Sequence, residues 1–351
     1  MTHPDYEQEA IALLQALIAT PRQSRDEAQA AAVLRRFLDN CGLSWHAHGH
    51  NTWCIDPQPD ASRPTLLLNA HIDTVRPAAS WTRNPYAPDI EGDRLYGLGS
   101  NDCGAGLVCL LQTYRRAIAS PHRAYNLIYL ASAEEEVSGS GGIEAVLPLL
   151  PPIDVALVGE PTGLRPAIAE RGLMVLDLIS HGRSGHAARR EGVNAIYEML
   201  DDLQWIRSYR FGKISPLLGP TTMSLTVIHA GTQHNMVPDR CEALIDVRVN
   251  ELYTNEEVFD LLRRHLRSEL KAHSFRLRSS HIDAGHPLIR RCLALGLTPF
   301  GSPTLSDQAL LRCPSFKFGP GDSARSHTAD EYIMLSEIRR GLDLYAQLLD
   351  V

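Results

Sequence analysis

The chain has 351 residues, 44% hydrophobic and 21% charged, an ordinary globular composition over a length that predicts two domains. The net charge of −7, with no basic tract interleaved with aromatic residues, argues against a nucleic-acid surface. No apolar run approaches the roughly 18 residues that span a membrane, and seven scattered cysteines without a C-x-x-C pair fit reduced thiols in a cytoplasm.

The first part of the chain alternates predicted helices and strands. Apolar residues at three- and four-residue spacing predict helices over 5–19 and 26–41. The first of these is amphipathic and lacks a preceding basic region, which favours a helix over a signal peptide. Strands are predicted near 65–70, 127–133 and 153–158, and a helix begins at Gly104. This alternation predicts an α/β fold with a mainly parallel sheet flanked by helices.

The pattern changes after about residue 165. Its order is strand, helix, strand, strand, helix, strand, with predicted bounds 173–182, 191–209, 222–231, 241–250, 254–272 and 275–283. This series is typical of a compact α+β unit inserted into another domain. From about 285 the chain returns to helix and strand and ends in a helix at 335–349. The expected domains are therefore 1–165 with 284–351, and the insertion 166–283.

Acidic and imidazole side chains follow the predicted strands or lie in turns of the α/β part. Because loops at one edge of such a sheet can converge, these side chains are candidates for a single site. They are His71, Asp73, Asp102, Glu134, Glu135, Glu136, Glu160 and His327. Each also has an ordinary explanation on its own: a polar strand cap, a turn residue, acids at a helix N-terminus, plain loop or a surface histidine. Their ordered recurrence favours the common site.

Carboxylates that meet in one place repel each other unless a cation neutralises them. Two histidines and three carboxylates match a site for two zinc-like ions, with one carboxylate bridging the ions. Such ions lie roughly 3.5–4 Å apart and activate a shared water. A further carboxylate that binds neither ion would take the proton of that water.

The sequence resembles the M20 metallopeptidase and deacylase family, whose members hydrolyse N-acyl amino acids and small peptides with a two-metal site. The resemblance covers nearly the whole chain and keeps the family's order of motifs. It is carried by His71-x-Asp73, Asp102, Glu135-Glu136, Glu160-Pro161-Thr162 and His327. It implies a two-metal catalytic domain with a mainly parallel sheet flanked by helices, plus an inserted α+β lid and dimerisation domain.

The resemblance also implies roles for these residues. His71, Asp102 and Glu160 would hold one metal, and Asp102, Glu136 and His327 the other. Glu135 would be the general base, and Asp73 would orient His71, as metal-bound histidines usually require. The expected cofactors are two divalent ions, with zinc favoured and cobalt or manganese able to substitute.

Two departures from the family pattern stand near these ligands. Gly104 occupies a position where the family often has a lysine that is not a ligand, so the metal assignment is unaffected. The family's usual Asp-Glu-Glu is Glu134-Glu135-Glu136 here, which leaves open a shift of one residue in naming the base.

The inserted unit matches the family as well. "GRSGHAA" contains His186, "QHNMVPD" contains Asn235 and "DVR" contains Arg248. The resemblance implies a homodimer through the lid, in which His186 reaches the partner's site and stabilises the oxyanion. Asn235 and Arg248 would contact a substrate carboxylate, and Gly321 would also lie at the substrate.

The stretches "GPGDSARSHTADEY" and "GSPTLSDQALL" resemble the branch that contains acetylornithine deacetylases. Deacetylation of N-acetylornithine or a close analogue, in arginine biosynthesis, is the expected activity. Succinylornithine, succinyl-diaminopimelate, acetylcitrulline and a dipeptide remain alternative substrates, because one changed contact can switch specificity. Outside this class, a catalytically silent binding protein would normally have lost the base or a ligand, and every expected position is filled.

Two other motifs look like binding sites but are interpreted as ordinary surface or turn sequence. "HAHGH" would place His46, His48 and His50 on one face of a strand, and nothing acidic with a matched role accompanies it, which favours a solvated face. "GLGSNDCG" has Asp102 where a dinucleotide loop needs its third glycine. There is no convincing nucleophile elbow.

Overall fold

The computed structural model describes residues 5–189 and 191–351. Its α-helices are α1 (Tyr6–Ile18), α2 (Ala28–Asn40), α3 (Ala105–Ala119), α4 (Ile143–Val146), α5 (Ala195–Ser208), α6 (Asn255–His265), α7 (Pro287–Ala294) and α8 (Leu335–Leu349). Its strands are β1 (His46–His48), β2 (Asn51–Ile55), β3 (Thr65–His71), β4 (Ile90–Glu91), β5 (Arg94–Tyr96), β6 (Asn126–Ser132), β7 (Val155–Val158), β8 (Ala167–Glu170), β9 (Gly172–His181), β10 (Gly185–His186), β11 (Ile214–Ser215), β12 (Gly219–Pro220), β13 (Thr222–Ala230), β14 (Met236–Val237), β15 (Arg240–Val249), β16 (Glu269–Ala272), β17 (Ser280–His281), β18 (Phe300–Ser302), β19 (Ser315–Lys317) and β20 (Tyr332–Met334).

The chain divides into two compact units. The first contains the chain up to Ile168 together with Ile282–Phe300 and Ser306–Val351. The second contains Ala169–His281 and the short segment Gly301–Leu305. Within the described residues, no helix is both long enough and apolar enough to cross a bilayer.

The first unit is built on a mixed sheet in the order β1-β2-β6-β3-β7-β19-β8. Its centre is parallel, because β6, β3, β7 and β19 run in the same direction. Antiparallel strands flank this centre, with β2 on one side and β8 on the other. The structure confirms the predicted α/β class. It adds the β1–β2 hairpin and the short central strand β19, which periodicity did not predict because both are brief.

Continuous runs of buried residues explain why these strands lie at the centre of the sheet. Every residue of β6 is buried, and β3 is buried from its second residue onward, as expected for parallel strands covered on both faces. Helix α3 is almost wholly buried and packs against α1 and α8. Asp5 caps α1, because its side chain accepts a hydrogen bond from the N–H of Gln8 at 3.1 Å.

The second unit contains an antiparallel four-stranded sheet in the order β13-β15-β9-β16. Buried and partly exposed residues alternate along β9 and β15, which marks one face that packs on a core and one that does not. Helices α5 and α6 contribute Met199, Val258 and Leu262 to that core. The predicted α+β insertion is thus confirmed in its order of elements.

Two elements of the insertion differ from their predictions. The helix expected over 254–272 ends at His265, and the edge strand is β16 at 269–272 rather than a strand over 275–283. The buried carboxylate of Asp202 causes the change of direction, since it accepts the N–H groups of Arg267 at 3.0 Å and Ser268 at 2.8 Å. These donors are therefore satisfied outside a helix, and the chain continues as a strand beside β9.

Candidate metal centre

The predicted ligands of the first unit come together at the carboxyl edge of the parallel strands. His71 is the last residue of β3, the triple Glu follows β6, and Glu160 follows β7. Parallel strands end at the same edge, so their loops converge. Asp102 reaches the edge from an irregular turn over 100–104 before α3, and His327 from a loop before β20.

Asp102 lies between the two histidines of the cluster. Its Oδ1 is 3.1 Å from His71 Nε2, and its Oδ2 is 3.7 Å from His327 Nε2. Glu160 Oε1 lies 3.7 Å from His71 Nε2, whereas Glu136 Oε2 lies 2.9 Å from His327 Nε2. The two oxygens of one carboxylate therefore face two different histidines, each with its own second carboxylate.

The other nitrogen of His71 is held by the residue that the sequence suggested as its orienter. His71 Nδ1 donates to the backbone carbonyl of Asp73 at 3.0 Å, and the Asp73 carboxylate is farther away at 3.5 Å. With its proton on Nδ1, the ring presents the lone pair of Nε2 to the cluster. The carboxylate of Asp73 has a second task, because it accepts the N–H groups of Glu135 and Glu136 at 3.1 Å each.

The three consecutive glutamates point to different places. Glu134 has a left-handed backbone with φ of 54°, and its carboxylate faces Arg25 at 3.7 Å. Glu135 Oε2 lies 3.9 Å from His71 Nε2, and Glu136 lies against His327. Only the second and third glutamates therefore enter the cluster, in the register that the resemblance suggests.

A divalent cation fits this set of donors. Glu160 Oε1 is buried and has no hydrogen-bond partner among the described residues, although it faces the cluster. A buried carboxylate oxygen without a hydrogen bond lowers the stability of the folded protein unless a cation pairs with it. Burial, with repulsion from Asp102, raises the pKa of Glu160 to about 8. The ligand atoms of His71, Asp102 and Glu136 also lie within 4.8 Å of one another, close enough for an ion.

Other titratable groups show the same crowding of negative charge. Burial raises the pKa of Glu135 well above its usual value, and Glu160 and Asp307 raise it further against the opposing effect of His71. At the exposed side, the hydrogen bond to Glu136 raises the pKa of His327 to about 9. His71 is 1% exposed and His327 54% exposed, so the cluster opens on the His327 side.

Three buried groups beside the cluster were missed by the sequence analysis. Asp307 accepts the hydroxyl of Ser132 at 2.5 Å, and burial raises its pKa to about 6. Glu331 accepts backbone N–H groups of the turn that carries Asp102. Asp307 falls in "GSPTLSDQALL" and Glu331 in "GPGDSARSHTADEY", two stretches whose resemblance to the acetylornithine deacetylase branch implies no role for either acid.

Cys103 is the third of these groups. Its sulfur lies within 4.8 Å of ligand atoms of His71 and Glu160. It donates to the carbonyl of Gly159 at 3.2 Å, and burial raises the pKa of this thiol well above its ordinary value. In this structure the thiol therefore serves as a hydrogen-bond donor to the backbone of the Glu160 loop.

The remaining predicted site residues are His186, Asn235 and Arg248 in the second unit and Gly321 in the first. In the second unit, His186 is exposed and Asn235 adjoins it, because the Asn235 carbonyl accepts the N–H of Ala187 at 3.0 Å. Arg248 is eight residues from the start of β15, about 26 Å along a strand, and it pairs with Asp246 at 2.8 Å. In the first unit, Gly321 has φ of +91° and packs against the Asn101 side chain.

The histidine tract "HAHGH" is only partly a solvated face. His46 and His48 lie on the exposed strand β1, and His46 stacks on Trp53 with ring centroids 5.6 Å apart. His50 instead lies in the following turn, and its Nδ1 is 2.6 Å from the buried carboxylate of Glu27. The expectation that His50 shares the face of the other two was wrong, because the chain reverses at Gly49.

A cluster of two histidines and four carboxylates at the edge of such a sheet is typical of a metal-dependent hydrolase. Residues 67–351 match the family described as Peptidase family M20/M25/M40, and the chain belongs to this family. The resemblance found in the motifs is therefore confirmed.

Several relatives match along most of the chain. Acetylornithine deacetylase of Edwardsiella ictaluri is 28% identical over 373 residues, with 97% of this chain and 96% of that protein covered. Succinyl-diaminopimelate desuccinylase of a Wolbachia from Culex pipiens is 25% identical over 312 residues, which cover 82% and 78% of the two chains.

Solved structures share the fold at lower identity. The aminopeptidase PepT of Bacillus cereus superposes with a TM-score of 0.77 at 17% identity, with 98% of each chain covered. A dinuclear metal-binding peptidase of the M20 family from Bacillus subtilis gives 0.74 at 16% identity, covering 98% of this chain and 97% of that one. These likenesses confirm the combination of a catalytic-type α/β unit and a separate antiparallel unit.

Metal binding at pH 7 is expected to release protons. Glu160, with a pKa of about 8, and His327, with a pKa of about 9, both hold protons at this pH and must lose them to coordinate an ion. Affinity for Zn²⁺ should therefore rise as the pH is raised from 7 to about 9. Calorimetric titration in buffers of different ionisation enthalpy measures the release directly.

Glu160→Gln is the matched control for that titration, because it cannot lose a proton at this position. It should reduce the number of protons released per ion bound. A binding enthalpy that is the same in every buffer would contradict the proton release.

Proposed function

We propose that the chain hydrolyses the amide bond of an N-acyl amino acid, N-acetylornithine or a close analogue. The observation that carries the proposal is the placement of Asp102 between His71 and His327, with a second carboxylate beside each histidine. Acetylornithine deacetylases that align over 97% of the chain support the substrate class. Release of ornithine would place the reaction in arginine biosynthesis.

The donor set suggests which residues would hold two divalent ions. His71, Asp102 and Glu160 would hold one, and Asp102, Glu136 and His327 the other. Zinc suits imidazole and carboxylate ligands, and cobalt or manganese could replace it. When bound, such ions polarise the amide carbonyl and make water a stronger acid.

The chain's own contribution to the chemistry centres on Glu135. This carboxylate would take one proton from the attacking water as the C–O bond forms. It would then give that proton to the leaving nitrogen as the C–N bond breaks, so that a carboxylic acid and an amine result, and a proton passes from the acid to the amine to give a carboxylate and an ammonium group. Its backbone N–H is held by Asp73 at 3.1 Å, which supports a fixed position for the side chain beside His71.

The second unit would act as a lid and dimerisation domain. We propose that residues 166–283 pair two chains about a two-fold axis, and that each His186 donates to the oxyanion in the partner's site. Asn235 and Arg248 would contact the substrate carboxylate, with Gly321 at the same substrate. His186 is exposed and adjoins Asn235, which supports its availability to a second chain.

Glu135→Gln and Glu136→Gln are expected to have different effects, the first on catalysis and the second on metal binding. Glu135→Gln should lower kcat by about 10²–10⁴-fold, the usual contribution of a general base, while both metals still bind. Glu136→Gln should lower the occupancy of one metal, because it removes a carboxylate next to His327. Metal analysis together with steady-state kinetics distinguishes them, and the opposite pattern would show that the base is the other glutamate.

His186→Ala should lower kcat about a hundredfold, consistent with loss of an oxyanion donor, and leave the metal content unchanged. Mixing this variant with Glu135→Gln after subunit exchange should restore activity, because one of the two sites then has both groups. Subunit exchange is verified by mass spectrometry of differently tagged chains. No regain in verified heterodimers would show that His186 does not act across a dimer.

A panel of N-acyl amino acids tests the substrate. The purified, zinc-loaded protein should release the free amine from N-acetylornithine with a higher kcat/KM than from acetylcitrulline, succinylornithine, succinyl-diaminopimelate or dipeptides. Glu135→Gln is the control for contaminating activity. If the protein prefers a succinyl substrate or a peptide, that compound replaces acetylornithine as the proposed substrate, and the proposed metal-dependent amide hydrolysis stands. Hydrolysis of no member of the panel by metal-loaded protein would overturn the proposed function.

A further inference from the structure

The turn that carries Asp102 is held by a buried carboxylate from the other end of the chain. Glu331 is 2% exposed, and it accepts the backbone N–H groups of Gly99, Asn101 and Asp102, each at 2.9 Å. Three donors on one carboxylate leave this stretch of backbone little freedom. Glu331 therefore holds the backbone that carries Asp102 in place through hydrogen bonds to its N–H groups.

A buried cation holds the same turn from the opposite side. The guanidinium of Arg22 donates to the carbonyl of Gly99 at 2.9 Å and to the carbonyl of Ile72 at 2.7 Å. Ile72 lies between His71 and Asp73. One side chain thus joins the end of β3, which presents His71, to the turn that presents Asp102.

The surrounding backbone leaves room for the guanidinium. Gly99 has φ of +72°, and a Cβ there would lie 2.5 Å from Arg22 Nη2. A Cβ at Gly104 would lie 3.1 Å from the same atom. A side chain at Gly99 would therefore clash with the guanidinium of Arg22, whereas one at Gly104 would make a tight contact with it.

Charge explains why a cation is found there at all. Arg22 is 2% exposed, and burial of an unpaired guanidinium would be strongly unfavourable. Glu331 and Asp73 are the acids whose charges act on it most strongly. Both acids accept backbone N–H groups of ligand-bearing loops, so the cation stabilises two anions that themselves hold the site.

We propose that Arg22 and Glu331 are paired positioning residues that set the separation of His71 and Asp102, and with it the affinity of the metal these two share. The inference rests on the proposed function only in assuming that His71 and Asp102 bind one ion. Neither residue touches the substrate or the ion. Their effect is transmitted through the backbones at Ile72 and Gly99.

The test measures metal affinity of the whole protein by competition with a chromophoric chelator, without substrate. Arg22→Met and Glu331→Gln should weaken binding of Zn²⁺ about tenfold to a hundredfold, as changes beside metal ligands typically do. Arg22→Lys should recover part of this loss, because an ammonium can donate to one of the two carbonyls but lacks the guanidinium fork. The visible spectrum of the Co²⁺-loaded variants should shift, since it reports the geometry of the ligands.

Arg123→Met is the matched structural control. The Arg123 side chain is 8% exposed and pairs with Asp56 through two hydrogen bonds of 2.8 Å, and it also donates to the carbonyls of Ser120 and Gln58, which lie outside the ligand-bearing loops. This variant should lower Tm and leave the metal affinity and the Co²⁺ spectrum unchanged. Arg22→Met that lowers Tm in the same way, with wild-type affinity and spectrum, would overturn the inference. If Arg22→Met does not fold, Arg22→Lys and Glu331→Gln decide by the same two readouts.

A double variant tests whether the two residues act as a pair. Arg22→Lys with Glu331→Gln should weaken binding by less than the product of the single effects, because both act on one turn. Multiplicative effects would show that they act independently. Loss of activity on every acyl amino acid would overturn the proposed function but not this inference, whereas wild-type protein that binds no divalent ion would overturn both.

Discussion

Repulsion among carboxylates at one sheet edge is the constraint on which this structure depends. Asp102, Glu135, Glu136 and Glu160 converge where the parallel strands end, and two further buried acids, Asp307 and Glu331, lie beside them. Brought together without compensation they would not stay ionised, as the raised pKa of Glu160 shows. The fold compensates with backbone N–H groups and buried cations, and a divalent ion would complete the balance.

A short segment before α2 contributes to that compensation. Arg22 donates to the carbonyls of Ile72 and Gly99, and Ser24 donates to Asp73 at 2.7 Å. Glu27, itself an acid, accepts the N–H of Glu134 at 3.1 Å and so fixes the backbone without reducing the negative charge. Three residues of this segment thus contact three of the loops that carry the cluster. On the other side Lys317 is buried in β19, where its charge lowers the pKa of Glu160 against the effects of burial and of Asp102.

The predicted site residues differ in exposure between the two units. In the first unit the loops that carry the cluster are held by hydrogen bonds from their backbone N–H groups to buried carboxylates such as Asp73 and Glu331. In the second unit His186 is exposed beside Asn235 in the two-stranded sheet β10-β14, whereas Arg248 lies on β15 of the four-stranded sheet.

The sequence by itself determined the class of fold, the buried strands and the side chains of the candidate metal cluster. Hydrophobic periodicity and motif spacing are local properties of the chain, so they can be recognised without a structure. It could not reveal Arg22, Glu331 or Asp307, since their roles arise from contacts between residues as far apart as Gly99 and Glu331. It also misjudged where α6 ends, because Asp202, distant in sequence, captures the N–H groups that would have continued the helix. Only the tertiary structure decided which glutamate of Glu134-Glu135-Glu136 faces away, because a left-handed backbone at one residue directs each carboxylate differently.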